Sequence, residues 1–153
     1  MKKNNEKGFS LVELLVVVII IAIVAAIAIP NLLASRRAAN EASAISSLRT
    51  IHSAEATYQS TSGSGVNYGS LVQLNTAGLI DSVLGAATSQ KSGYTFTLST
   101  GTQIYCANAA PTTPGTTGTN YFGVQTDGVI YKNASALGCS AGVLTTTGAS
   151  PIQ

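Results

Sequence analysis

Apolar residues follow three different patterns along this chain. From Leu14 to Ile29, sixteen successive residues are Leu, Val, Ile or Ala. Widened to Phe9–Leu33, the stretch has 25 residues and a single charge, Glu13. As helix it spans about 37 Å, enough for a bilayer core of about 30 Å. A buried core helix is the alternative, but a domain this small could not wrap such a rod on every side. The pattern predicts a membrane-resident helix.

Past Pro30 the period becomes amphipathic. Ala38, Ala42, Ile45, Leu48, Ile51 and Tyr58 recur at spacings of three, four and seven, so the predicted helix continues from Phe9 to about Tyr58, some 75 Å. Arg36, Arg37, Glu41, Arg49 and Glu55 fall mostly off that stripe, and Arg37 and Glu41 are spaced for an i,i+4 pair. His52 lies beside the stripe and reads as a partly exposed helix residue. No cysteine or second histidine stands near enough in sequence to join it as a ligand.

The helix should end in the turn-prone tract Ser60-Thr61-Ser62-Gly63-Ser64-Gly65. From Val66 to Gly93 the signal is mixed, with short helices predicted near Ser70–Leu74 and Leu79–Leu84. Strand alternation follows in Tyr94–Leu98, and Gly101 turns the chain into Ile104–Ala107. Phe122, Val124, Val129 and Tyr131 flank Asp127-Gly128, a pair suited to a type I′ hairpin turn. Ala110–Asn120, rich in Pro, Thr and Gly, reads as a loop. Three or four antiparallel strands packed across the amphipathic helix make the expected fold α+β. The chain then divides into a leader (1–8), an apolar helix (9–33), its amphipathic second half (34–60) and a globular head (61–153).

Composition narrows the function. The 153 residues are 45% hydrophobic and only 9% charged, with 35 serines and threonines supplying neutral polarity. Net charge is +2, all of it in the leader Met1–Gly8. Lysines ahead of an apolar run hold that end on the cytoplasmic side. In the head, Lys91 and Lys132 are the only basic residues beyond Arg49, which gives nucleic-acid binding no support. The apolar run passes into Pro30-Asn31-Leu32-Leu33 without a small-residue cleavage site, so it is expected to be retained.

Glu13 is the exception inside the run. A carboxylate in hydrocarbon is costly unless paired or protonated. Reaching out to water near the helix end is one reading. The other needs a cation, and no Lys or Arg occurs between Lys7 and Arg36. Cleavage after Gly8 would create an amine on Phe9, about one helical turn from Glu13. Between staggered neighbouring chains, such a pair would cancel two buried charges and set the stagger.

Gly8-Phe9-Ser10-Leu11-Val12-Glu13-Leu14, followed by a long apolar helix and Pro30, resembles the prepilin signature of type IV pilins, and the short leader with Phe9 resembles the type IVa class. The resemblance covers about the first 50 residues. It implies cleavage between Gly8 and Phe9 by a prepilin peptidase and N-methylation of Phe9. It also implies residence in the inner membrane, and then incorporation by an assembly machinery into a helical filament of identical subunits. Phe9, Glu13 and Pro30 would be the assembly residues, with Glu13 pairing the Phe9 amine of a neighbour. Where many family members have glycine this chain has Ala22, which leaves Pro30 as the main helix breaker of the region.

Cys106 and Cys139 should be joined if the head is extracytoplasmic, two buried free thiols being the alternative. By analogy with the family, such a bridge bounds a C-terminal loop called the D-region. No catalytic constellation, phosphate loop or C-x-x-C is present, and the sparse acids beyond residue 60, Asp81 and Asp127, offer no carboxylate pair or tight calcium site. No enzyme, cofactor or metal is expected. Asn133-Ala134-Ser135 matches a glycosylation sequon, and Thr112–Thr119 reads as a solvated loop. The leading expectation is the structural subunit of a type IV pilus. A type II secretion pseudopilin shares the signature, although its major subunit usually carries calcium-binding acids missing here. A minor pilin, and more remotely a membrane-tethered binding or enzymatic head, are the other readings.

Overall fold

A computed structural model describes residues 8–152, so the leader, Gly8 apart, lies outside the described residues. The chain falls into two compact units divided after Ser35. The helix α1, Leu11–Thr61, runs from the first into the second.

In the first unit α1 has no polar face. Every Leu, Val and Ile from Leu11 to Leu33 is between 47 and 79% exposed. An 18-residue window of the helix is apolar enough to cross a membrane, and none of it is buried. Pro30 sits inside the helix without ending it. The proline has no N–H for the Ala26 carbonyl, whereas the next carbonyl along, that of Ile27, accepts from Asn31 Nδ2 at 3.2 Å.

In the second unit α1 turns Ala44, Ser47, Leu48, Ile51, Ala54 and Glu55 inward, with Ile45 and Tyr58 partly buried. Ala38 and Ala42 are exposed, while Ile45, Leu48, Ile51 and Tyr58 keep their expected places on the buried stripe. It runs through a serine and a glutamate that an apolar-only count passes over. The i,i+4 pair of Arg37 and Glu41 is not made either. Arg37 Nη1 donates to Gly115 O at 3.1 Å, and Glu41 is taken by Thr119 and Asn120. An exposed helical ion pair is worth only about 0.2–0.5 kcal/mol, less than several fixed neutral donors can offer.

The sheet has six strands where three or four were expected. In spatial order they are β1 (Gln90–Lys91), β2 (Tyr94–Thr100), β3 (Tyr105–Pro111), β4 (Tyr121–Gln125), β5 (Ile130–Asn133) and β8 (Ser150–Ile152). All neighbours are antiparallel. A separate two-stranded ribbon pairs β6 (Cys139–Ser140) with β7 (Val143–Leu144). The unforeseen strands have two or three residues each, too short to show a period of two. Tyr94, Phe96, Ala107, Ala109, Phe122 and Val124 of the sheet pack with Ala44, Leu48, Ile51 and Ala54 of α1 in one core. The architecture is therefore α+β, a long apolar helix whose second half packs on an antiparallel sheet.

Local chemistry explains the connections. Ser70 caps α2 (Leu71–Thr76) with a capping box shared with Gln73. Gly78, at φ +72°, ends it, and Leu79 N–H reaches back to Leu74 O. The second predicted helix, Leu79–Leu84, is a run of turns, its Leu84 N–H bonded to Asp81 Oδ1 at 2.8 Å. The β4–β5 turn is not type I′. Gly128 N–H bonds Gln125 O at 2.9 Å, and of the Asp127-Gly128 pair only Gly128 has positive φ. That is a four-residue connection, 126–129, with glycine in the left-handed position. Asp127 braces it by accepting from Val129 N–H at 2.9 Å and Gln125 Nε2 at 3.0 Å.

Strand β3 extends to Pro111, so the loop begins at Thr112. Helix α1 straps it down. Asn40 Nδ2 donates to Thr117 O at 2.8 Å. Glu41 accepts from the backbone N–H groups of Thr119 and Asn120 and from both their side chains, at 2.8–3.2 Å. Cys106 and Cys139 are joined in a disulfide, Cα atoms 5.7 Å apart. The bridge ties β3 to β6 around β4 and β5, over a small apolar cluster that includes Leu137 and Leu144.

Candidate functional site

The start of α1 is built from very few contacts. Residues 8–10 are neither helix nor strand, and all three are exposed, Phe9 by 79%. A Cβ placed on Gly8 would meet nothing within 4 Å, so nothing in the described subunit requires glycine there.

Helical order begins with a side-chain cap at Ser10. The Ser10 hydroxyl accepts from the Val12 N–H at 3.3 Å, and Ser10 N–H donates to Glu13 Oε2 at 2.9 Å. Two of the helix's orphan donors are thereby satisfied by side chains. Within the described subunit, then, the partner of Glu13 is Ser10. The carboxylate is exposed and is held back toward the N-terminus, the positive end of the helix dipole.

The sequence reading named Phe9 and Glu13 and missed Ser10. The signal was present: Ser-x-x-Glu directly before an apolar run is a helix-start signature. Pro30, the third expected assembly residue, is separated from this cluster by four turns or more of helix. Cys106 and Cys139 form their bridge in the second unit. His52 shares a hydrogen bond between its Nδ1 and the Tyr105 hydroxyl. Among the described residues no group of three His, Cys, Asp or Glu side chains converges as a metal site would require.

Comparison with known proteins falls on this same segment. Residues 3–29 match the family model described as the prokaryotic N-terminal methylation motif. Over 37 residues the chain is 60% identical to the type IV wide pilus major component PilA4 of Thermus thermophilus, a stretch covering 24% of this chain and 28% of that protein. The chain thus matches little more than a quarter of that relative's length. No solved structure matches. The N-terminal segment of this chain carries the N-terminal methylation motif of prokaryotic pilins and is similar there to a type IV pilin.

Proposed function

We propose that the chain is the structural subunit of a type IV pilus. The observation that carries this reading is an apolar helix face exposed on every side from Leu11 to Leu33, headed by the methylation motif and a single carboxylate. Such a helix is stable only in lipid or among its own copies. The subunit first spans the inner membrane through this helix, and assembly moves it into an extracellular filament whose core is a bundle of the same helices.

Prepilin peptidase cuts between Gly8 and Phe9 and methylates the new Phe9 amine. The exposed segment 8–10, outside helix and strand, suits entry into a protease cleft. A glycine with open space around it points to a requirement imposed from outside the subunit, namely by the enzyme. In the filament Glu13 pairs with the Phe9 amine of a neighbouring copy, exchanging a neutral Ser10 N–H for a cation. The Ser10 bond has one ionised partner and the ammonium pair has two, so in a low-dielectric bundle the direct attraction of opposite charges favours the exchange, and its geometry fixes the axial stagger.

Sheared surface fibres test the reading by intact mass and N-terminal sequencing. A polymer beginning with N-methylated Phe9 is expected. A polymer beginning at Met1, or no fibre containing this chain, overturns it.

A further inference from the structure

Glu55 has no part in assembly at the helix start. It stands on α1 in line with Leu48, Ile51 and Tyr58, and none of it is exposed. Its Oε2 accepts from Gly69 N–H at 2.9 Å. Its Oε1 is buried with no hydrogen-bond partner among the described residues.

The surroundings are aromatic. Tyr105 of β3 lies within the reach of the Glu55 charge. Tyr68, from the segment joining α1 to α2, sets its ring centroid 4.8 Å from that of Tyr105. His52, one turn earlier on α1, is hydrogen-bonded to the Tyr105 hydroxyl, and Asp127 of the β4–β5 turn bears on Tyr105 as well. No cation pairs with Glu55: among the described residues the one ion pair is Lys91–Asp81. A buried carboxylate with one donor is far costlier than a neutral acid with one unmatched O–H.

The joining segment is fastened unevenly. Ser62, Gly63, Gly65, Val66 and Asn67 are tied by backbone bonds to Tyr58, Gln59 and Gly63, and Ser70 N–H is held by the Gln73 side chain. Between these anchors, the Gly69 N–H is held by Glu55. Gly69 also lies flat on the Tyr58 ring, where an added Cβ would come 3.1 Å from Cε1.

We propose that Glu55 is a proton-controlled latch on this segment. As the neutral acid it stays dry beneath Gly69. On losing its proton it is a stronger acceptor for the Gly69 N–H but leaves a charged Oε1 buried without a partner among the described residues, and the segment opens so that water reaches that oxygen. The inference stands on the second unit alone and is independent of the pilin reading. Burial pushes the carboxyl up to about 7, against the opposing pull of the Gly69 N–H, so the latch works near neutrality.

Amide hydrogen exchange of the full chain in lipid nanodiscs, corrected for intrinsic rates, tests it. Between about pH 5 and about pH 8, Gly69 protection in the wild type should fall by about ten-fold or more, while β3 amides hold theirs. In Glu55→Gln, which keeps an acceptor and cannot ionise, Gly69 protection should stay level. The same pH profile in both proteins overturns the latch and assigns the change to His52 or another group. Should the variant fail to fold, the wild-type carboxyl decides, by carbon NMR of labelled glutamate. A Glu55 midpoint near neutrality supports the latch, and one in the ordinary carboxylate range near 4–5 overturns it.

Discussion

Ser10 and Glu13 together cap the start of α1: the Ser10 N–H donates to the Glu13 carboxylate at 2.9 Å, while the Ser10 hydroxyl accepts from Val12 N–H at 3.3 Å. The residue proposed to bridge subunits therefore already has a partner within its own chain. Capping and charge pairing can be separated by substitution. Glu13→Gln keeps an acceptor for Ser10 N–H and removes the charge, whereas Glu13→Ala removes both. Both variants should be processed at Gly8 and both should fail to enter filaments, measured as processed subunit in membranes against subunit in sheared fibres. Normal fibres from Glu13→Gln would show that the cap, not the charge, is what assembly requires.

Removing the Ser10 hydroxyl should do less. Ser10→Ala loses one cap bond, about 1 kcal/mol of local helix stability, and Ser10→Thr retains it. Amide exchange at Val12 in the membrane-bound subunit should rise about five-fold in the alanine variant and stay near wild type in the threonine variant. Equal exchange in all three proteins would remove the Ser10 cap from the account.

Stability of the head should depend on pH in two opposite ways. Glu55 has its carboxyl raised by burial from 4.5 to about 7 in the folded state. From about pH 4.5 the unfolded chain loses that proton while the folded one keeps it, so stability falls as pH rises through 7, by about 3 kcal/mol in all. Glu41 runs the other way. Burial raises its carboxyl, but the hydrogen bonds from Thr119 and Asn120 outweigh that and leave it below the usual value. Its contribution is present above the unfolded value of 4.5 and is lost as pH falls. Denaturant midpoints of the head should thus peak near about pH 5. Glu55→Gln should flatten the alkaline limb and leave the acid limb in place.

The disulfide should matter thermodynamically. Cys106 and Cys139 are 33 residues apart in sequence, and a loop of that size constrains the unfolded chain by about 3.5–4 kcal/mol. Replacing both cysteines by serine should lower the denaturant midpoint accordingly. Alkylation of the unreduced protein should label neither thiol, and labelling of both would refute the bridge.

A substitution at Gly118 probes the loop joining β3 to β4. A Cβ on Gly118 would fall 2.0 Å from the Tyr94 hydroxyl oxygen. Tyr94 is fully buried and donates to Asn120 O at 2.8 Å, so its ring has nowhere to retreat. Gly118→Ala should destabilise the head by about 1–3 kcal/mol, read as a shift in thermal midpoint against wild type.

The sequence by itself determined the features that repeat over many residues or are set by neighbours. Sixteen apolar residues in succession can only be a helix in an apolar medium, and the alternation in Tyr94–Leu98 with Gly101 and Gly128 placed the hairpins. The motif Gly8–Glu13 and the cysteine pair were legible for the same reason, as was the Ser10 cap had its spacing been used. Tertiary structure decided where the buried stripe of α1 begins and which polar residues join it, because that depends on what covers it. Ser47 and Glu55 go inside, while Ala38 and Ala42 stay out. It also decided that Glu41 serves Thr119 and Asn120, 78 and 79 residues away, in preference to Arg37 four residues away. Short strands such as β1 and β8 exist only because a neighbour offers its edge. Local periodicity encodes the preferences of a segment, whereas burial and hydrogen-bond partnership across such separations arise from chain closure, which no window of sequence contains.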